Sequence, residues 1–245
     1  MTDCPADLPR AVVFGGGGGI GAALVSALSG SGRFGHVHVG ARRQPDDLPS
    51  GATGFRFDLS DETSIADAAC GIGGPVDLVI VATGVLHDPG GGVVPEKAAR
   101  AIDPDAMARV FAINTIGPAL IAKHMLPLLP RDRRAVFAAL SARVGSIGDN
   151  RLGGWHSYRA SKAALNMLVA NFAIEMARTR PLAIVAGLHP GTVATPLSAP
   201  FQRGVAEGKL FTAQDSAGHL LRVIDSLTPA DSGGLFAWDG ARIPY

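Results

Sequence analysis

Short runs of consecutive apolar residues alternate along this chain with longer segments in which apolar residues recur at helical spacing. Continuous apolar runs are typical of strands buried on both faces of a parallel sheet, and the spaced pattern is typical of helices that cover it. The predicted strands are Ala11–Phe14, Val37–Gly40, Gly54–Leu59, Asp77–Gly84, Arg134–Ser141, Leu182–His189 and Leu235–Trp238. The alternation predicts an α/β fold with one doubly wound parallel sheet of about seven strands, helices on both faces, and a single domain over residues 1–245.

A run of glycines lies at the first change from strand to helix. The strand Ala11–Phe14 leads directly to Gly15, Gly19 and Gly21, and the helical run Ala22–Leu28 follows. Because glycine has no Cβ, such a turn can approach a pyrophosphate and present N–H groups at the positive end of a helix. A flexible loop is the alternative, but the flanking strand and helix favour a dinucleotide site.

Two arginines follow the second strand, where a dinucleotide site usually distinguishes its ribose. A site that prefers NAD carries Asp or Glu about 20 residues after the glycines, where it binds the ribose hydroxyls. Arg42 and Arg43 stand there instead, and guanidinium groups suit a 2′-phosphate. We therefore expect NADP(H) rather than NAD(H), with Arg42 as the main contact and Arg43 in support, although two adjacent arginines can also be simply solvated. Asp58, near the end of the third strand, either binds the adenine amino group or helps to cap the next helix.

Tyr158 and Lys162 are four residues apart in a segment of strong helix formers, so a helix would place both side chains on one face. A fixed ammonium beside a phenol favours the phenolate and is expected to lower the pKa of Tyr158 from about 10. A phenol adjusted in this way serves as a general acid–base. The alternative is a surface pair that shares a helix face by chance.

Two further polar residues stand where the pattern predicts burial or a ligand. Asn114 lies among apolar residues of the predicted helix Met107–Gly117, which Asp103 and Pro104 begin, so it is expected to be buried and hydrogen-bonded. A purely structural asparagine is the alternative. Ser141 ends the fifth strand, and ligands of parallel sheets bind beyond that end.

Two segments carry no clear strand or helix pattern. Leu86–Ile102 contains Gly and Pro and is predicted to be a loop, by default a simple connection but otherwise a partner or substrate surface. Leu197–Phe211 is predicted to form a mobile flap or short helices. Its aliphatic residues either suggest an apolar part of a substrate or merely cover the core.

Composition narrows the function classes. The chain is 47% hydrophobic and 18% charged with a formal net charge of +1, which gives no reason to expect binding to nucleic acid or to an anionic membrane. No apolar run approaches the length of a membrane span, and no signal-peptide pattern is present. Cys4 and Cys70 form neither a disulfide framework nor a metal spacing, so we expect a reduced cytoplasmic protein without a metal.

In combination these motifs resemble the short-chain dehydrogenase/reductase family over essentially the whole chain. The matching motifs are Gly15-x-x-x-Gly19-Ile20-Gly21, Asp58, Asn114, Ser141, Tyr158-x-x-x-Lys162 and Pro190-Gly191-x-Val193-x-Thr195. Ser141–Gly148 and Trp155–Tyr158 resemble more particularly its C-factor-type branch, known for cell-to-cell signalling members. The resemblance implies a Rossmann-like fold and an oxidoreductase that interconverts a carbonyl and an alcohol with a nicotinamide cofactor.

The resemblance also implies residue roles. Tyr158 would be the acid/base, Lys162 would bind the nicotinamide ribose and lower the Tyr158 pKa, and Asn114 would hold a water of the proton relay. Ser141 would bind the substrate oxygen, although counting back from Gly145 by the family's Ser-x-x-Gly places Ala142 there. The implied cofactor-binding residues are Gly15, Gly19, Ile20, Gly21, Arg42, Asp58, Leu59, Gly84, Tyr158, Lys162, Pro190, Gly191, Val193 and Thr195.

Two further expectations come from the same resemblance. The substrate would be a small-molecule carbonyl or alcohol, and the protein would be a homodimer or homotetramer. Because Val81–Gly84 replaces the family's usual Asn-Asn-Ala-Gly, a cofactor-binding signalling or sensing protein with weak turnover is the alternative function.

Overall fold

The computed structural model describes residues 8–203 and 205–245, and Cys4 lies outside them. The described strands are β1 (Arg10–Phe14), β2 (His36–Ala41), β3 (Ala52–Arg56), β4 (Leu78–Val81), β5 (Ala135–Leu140), β6 (Ala183–His189), β7 (Thr192–Val193), β8 (Leu210–Phe211), β9 (Leu235–Ala237) and β10 (Arg242–Ile243). Eight of them form one sheet in the order β3-β2-β1-β4-β5-β6-β9-β10, and β7 pairs with β8 alone. All neighbours in the large sheet are parallel except β9 and β10.

Helices cover both faces of this sheet. Within the described residues they are α1 (Gly19–Gly30), α2 (Glu62–Ile72), α3 (Pro104–Phe111), α4 (Gly117–Met125), α5 (His156–Thr179) and α6 (Ala213–Ser226). Helices α1 and α6 lie on one face, and α2, α4 and α5 lie on the other. No helix among these is both long and apolar enough to cross a membrane.

Successive strand residues point to opposite faces, so each strand supplies both cores. On β1, Val12 and Phe14 belong to the core under α2, α4 and α5, whereas Ala11 and Val13 belong to the core under α1 and α6. All four are fully buried. This explains why all four residues after Arg10 in β1 are apolar, and it confirms the predicted doubly wound sheet.

Several predicted boundaries differ from the structure. β3 ends at Arg56 rather than Leu59, because the Asp58 carboxylate accepts from the Ser60 N–H at 2.9 Å and closes a turn there. β4 ends at Val81, before the predicted Gly84. No sequence pattern indicated the two-residue β10, which returns beside β9 as an antiparallel edge strand.

The predicted helix Met107–Gly117 is divided in the structure. Asp103 caps α3 through the Ala106 N–H and Pro104 is its first residue, as predicted. A π-helical turn over Ala112–Ile116 then separates α3 from α4. Such turns concentrate at functional sites, and this one contains Asn114.

In the segment predicted as a mobile flap or short helices, the described residues contain a 3₁₀ turn, Ala199–Phe201, and end as β8, which pairs with β7. The sheet order reverses between β1 and β4, and ligands of doubly wound sheets bind beyond the carboxyl ends of the strands at that reversal. The glycine turn follows β1 there, and Gly84 follows β4.

Candidate active site

The glycine turn after β1 is built on backbone approaches that exclude side chains. Gly15 has a φ of 90°, and its N–H donates to the Gly40 carbonyl at 2.9 Å. A Cβ on Gly21 would lie 2.1 Å from the Gly15 carbonyl oxygen, and one on Gly19 would lie 2.8 Å from Thr195 Cγ2. The glycines therefore let the turn, the start of α1 and the segment after β6 lie against one another.

This turn forms a cradle that fits a dinucleotide. Gly18 and Gly19 are exposed at the start of α1, whose first turn carries no acidic side chain, while Ile20 packs into the core below. Thr83 Oγ1 is buried and has no hydrogen-bond partner within the described residues. The Thr83 methyl lies 3.0 Å from where a Gly15 Cβ would be. Bare helix N–H groups beside an unpaired hydroxyl suit the pyrophosphate and ribose groups of a nicotinamide cofactor.

The predicted ribose-phosphate contact lies at the ends of β2 and β3. Arg42 and Arg43 are both exposed, and neither forms an ion pair with another described residue. Hydrogen bonds from the Ser60 hydroxyl and N–H lower the pKa of Asp58, with smaller contributions from the charges of Arg42 and Arg56. Arg42 and Asp58 are thus near neighbours at the outer end of the crevice.

Asp58 does not cap the next helix, because Asp61 accepts from the first amides of α2. The alternative reading of Asp58 as a cap is therefore wrong. Leu59 is half-buried and packs into the core, where a Cβ on Gly117 would lie 2.6 Å from its Cδ2. Its side chain fixes the loop in place and leaves only its main chain for a cofactor.

Asn114 is completely buried and hydrogen-bonded, as predicted. Its amide pairs with both main-chain groups of Val85, at 2.8 Å each, and its Nδ2 also donates to Ser161 Oγ at 3.2 Å. A Cβ on Gly84 would lie 3.4 Å from Asn114 Oδ1 and 3.6 Å from Lys162 Nζ. The loop after β4, the π turn and α5 therefore meet at Gly84.

Tyr158 and Lys162 lie one turn apart near the start of α5. Lys162 is 3% exposed, and its Nζ lies 5.9 Å from the centre of the Tyr158 ring while donating to the Leu140 carbonyl at 2.8 Å. The Tyr158 pKa is raised, rather than lowered as the sequence predicted. Burial raises the pKa of Tyr158 to about 12 and lowers the pKa of Lys162 to about 8, because each charged form is removed from water.

Ser141 requires a correction. It is buried at the end of β5, but its hydroxyl donates to Asn166 Oδ1 at 2.6 Å. Asn166 is eight residues beyond Tyr158 on α5, which corresponds to about 12 Å along the helix axis. The Ser141 proton is therefore engaged inside the protein, and the predicted contact with a substrate oxygen is not supported. The buried Ala142 follows it directly.

The segment after β6 is anchored from several sides. The Pro190 carbonyl accepts from Ser216 Oγ at 3.0 Å, and Gly191 has a φ of 79° with Phe211 and Trp238 packed against its Cα. Val193 is buried in β7. Two residues later, Thr195 packs against Gly19, so this segment borders the glycine turn.

Aromatic side chains that were not among the predicted site residues lie beside Tyr158. The Trp155 ring lies 6.3 Å from the Tyr158 ring and 5.0 Å from the Phe201 ring, edge to face. His87, from the loop after β4, lies 5.8 Å from Phe201. These rings connect the flap to the entrance of the crevice. Of these residues, only Trp155 could have been linked to the site from the sequence, because it stands three residues before Tyr158.

His189 is a second residue that the motifs did not identify. Its Nδ1 is buried without a hydrogen-bond partner in the described part of the chain. Burial, with a smaller effect from nearby Arg143, lowers its pKa to about 4, so it is neutral at physiological pH. Its position at the carboxyl end of β6, just before Pro190, could have identified it as a site residue from the sequence. The described residues contain no group of three or more His, Cys, Asp or Glu side chains that could hold a metal ion.

Known proteins are similar to this chain in sequence. Residues 9–205 match the short chain dehydrogenase family. C-signal of Myxococcus xanthus is 37% identical over 179 residues, which cover 70% of this chain and 94% of that protein. The 1-hydroxy-2-glutathionyl-2-methyl-3-butene dehydrogenase of Rhodococcus sp. (strain AD45) is 39% identical over 144 residues, which cover 59% of this chain and 61% of that enzyme.

Solved structures show the same fold. The NADPH-bound carbonyl reductase from chicken fatty liver superposes with a TM-score of 0.83 over 98% of this chain and all of that one, at 24% identity. At this identity the likeness establishes the fold, and the chemistry has to be argued from the residues.

Proposed function

The chain belongs to the short-chain dehydrogenase family of NAD(P)-dependent oxidoreductases, and from that premise we propose that it interconverts a carbonyl and an alcohol with NADP(H). One observation carries the proposal. Tyr158, Lys162 and Asn114 approach one another around Gly84, at the carboxyl edge of the sheet where the glycine turn also opens.

Each residue has a proposed task. When bound, the nicotinamide supplies the hydride chemistry. Tyr158 gives its phenol proton to the carbonyl oxygen, and its raised pKa keeps that proton in place at neutral pH. Lys162 binds the nicotinamide ribose. Its positive charge stabilises the phenolate that forms when Tyr158 gives up its proton. Asn114 holds the loop after β4 through Val85 and supports the proton path behind Lys162.

The cofactor preference rests on charge. Arg42 is exposed and unpaired within the described residues at the end of β2, where a 2′-phosphate would lie. Arg42→Ala is expected to weaken NADPH binding by about tenfold or more, as for a lost charge-assisted hydrogen bond, and to leave NADH binding unchanged. Arg43→Ala removes one positive charge nearby and is expected to weaken NADPH binding less than Arg42→Ala does. Equal losses for both cofactors would reject the phosphate contact.

The decisive experiment is a screen of carbonyls and alcohols with NADPH, NADP, NADH and NAD. With the best substrate, Tyr158→Phe is expected to keep cofactor binding and lower kcat by about 10²–10⁴, the range for a lost acid–base. A Tyr158→Phe variant that turns over at the parent rate would show that Tyr158 transfers no proton.

A cofactor-binding signalling or sensing protein is the alternative. It is favoured by Val81–Gly84, which replaces the family's usual Asn-Asn-Ala-Gly, and by the similarity to C-signal. Saturable NADPH binding without turnover on any substrate of the screen would favour it. The homodimer or homotetramer and the cytoplasmic location stay predictions.

A further inference from the structure

The start of α5, which carries Tyr158, lacks a cap from its own segment. The helix begins at His156, and Trp155 before it has a φ of 49° and a ψ of 46° with no side-chain cap bond. The first N–H groups of a helix have no partner within the helix, so an uncapped first turn opens easily. Ser157 and Tyr158 belong to that first turn.

Glu96 supplies the missing contacts from a distant part of the sequence. Its carboxylate oxygens accept from the Ser157 N–H at 3.3 and 3.2 Å and from the Ser157 hydroxyl. Its main-chain carbonyl accepts from the Trp155 N–H at 2.5 Å. Glu96 therefore holds the chain on both sides of His156, and it also holds Trp155 in the left-handed conformation that non-glycine residues rarely adopt.

The contact is buried beside the reacting group. Glu96 is 6% exposed and Ser157 is 3% exposed. Glu96, Ser157 and Tyr158 line one small hollow, with Leu86 and Val110 among its apolar walls. A carboxylate withdrawn from water is costly unless it is hydrogen-bonded, and a negative charge is favourable at a helix N-terminus. Both effects stabilise the Glu96 carboxylate at the start of α5.

We propose that Glu96 is a positioning residue that fixes the first turn of α5 and thereby aims the Tyr158 hydroxyl, an inference that rests on the proposed function. Lys162, one turn further along, is held separately by the Leu140 carbonyl. Loss of Glu96 thus disorders Tyr158 without disturbing Lys162 or the glycine turn. The loop Leu86–Ile102 then has a definite task, which the sequence did not reveal.

The test compares Glu96→Ala and Glu96→Gln with the control Asp231→Ala. The Asp231 carboxylate accepts the same pair of hydrogen bonds, from the N–H and the hydroxyl of Thr228 at 2.9 and 2.7 Å. This turn precedes β9 and so lies at the amino ends of the parallel strands, away from Tyr158. Steady-state kinetics, NADPH binding and amide hydrogen exchange over residues 155–160 are measured for each protein.

For Glu96→Ala we expect kcat to fall about ten- to a hundredfold, as for a misplaced reacting group, with the NADPH dissociation constant within about threefold of the parent value. Amide exchange of the first turn of α5 should rise about tenfold, as for a lost buried hydrogen bond. Glu96→Gln keeps a carbonyl acceptor and should restore kcat to within about fivefold of the parent. Asp231→Ala should leave kcat unchanged.

Three results would overturn the proposal: parent-like exchange in Glu96→Ala, equal kcat losses in Glu96→Ala and Asp231→Ala, or a loss of NADPH binding as large as the loss of kcat. If Glu96→Ala does not fold, Ser157→Ala removes the hydroxyl contact and decides by the same readouts. If the parent shows no turnover, the proposed function fails, while the exchange comparison still decides whether Glu96 fixes the turn.

Discussion

Replacing Ser141 by alanine tests whether the hydroxyl at the end of β5 serves the fold or the substrate. The structure places Ser141 Oγ 2.6 Å from Asn166 Oδ1, with the two residues 4% and 3% exposed. We expect Ser141→Ala to lower stability and to leave turnover nearly unchanged.

The size of the effect follows from the group left behind. Without the hydroxyl, Asn166 Oδ1 is buried with no donor, and such a loss costs about 1–3 kcal/mol. The alanine methyl keeps most of the volume, so little cavity cost is added. A lost hydrogen bond to a reacting oxygen would instead lower kcat by about 10²–10³.

Urea unfolding and NADPH-dependent kinetics with one substrate separate these cases. The double variant Ser141→Ala/Asn166→Leu removes both partners, so a double-mutant cycle should give a coupling energy of about 1 kcal/mol. A Ser141→Ala variant with parent stability and a hundredfold lower kcat would refute the argument. Ala142→Ser, at the serine position counted from Gly145, tests whether a hydroxyl there raises kcat.

Three other perturbations test the surroundings of Tyr158. Asn114→Ala leaves the N–H and C=O of Val85 unpaired and should cost about 2–5 kcal/mol in urea unfolding; a loss below about 1 kcal/mol would contradict the buried pairing. Gly84→Ala adds a methyl at ordinary contact distance from Asn114 and Lys162, so stability should change by less than about 1 kcal/mol while calorimetry shows NADPH binding weakened about tenfold. Unaltered NADPH affinity would place the cofactor elsewhere. The folded protein releases the Lys162 proton at about pH 8 and the unfolded chain near 10.5, so the unfolded state holds more protons between these values and stability rises with pH there. Cofactor-free protein should therefore gain about 1.5 kcal/mol between pH 8 and 9.5 relative to Lys162→Met, and parallel urea curves for the two proteins would contradict the lowered pKa.

Local patterns predicted the main strands and the candidate site residues. Apolar runs such as Val12–Phe14 predict buried strands because successive side chains enter the two cores on opposite faces of the sheet. The Tyr158–Lys162 spacing predicts a shared helix face because helical periodicity is fixed by the backbone. Asn114 among apolar residues predicts a buried, hydrogen-bonded amide because burial without partners is too costly. Each of these inferences uses contacts within about one turn or one strand.

What the sequence left undecided depends on contacts between distant segments. Whether Ser141 faces a substrate or Asn166 is set by how β5 packs on α5, which no local pattern encodes. The Tyr158 pKa rises rather than falls because many residues from distant segments remove the phenol from water. From the sequence, only the effect of the neighbouring Lys162 charge could be predicted. The Glu96 contact spans 61 residues and joins a loop without a pattern to a helix without a cap. The sequence by itself thus determined the main strands and helices and the candidate site residues. The tertiary structure alone decided how those side chains are oriented, because their orientation depends on packing between segments far apart along the chain.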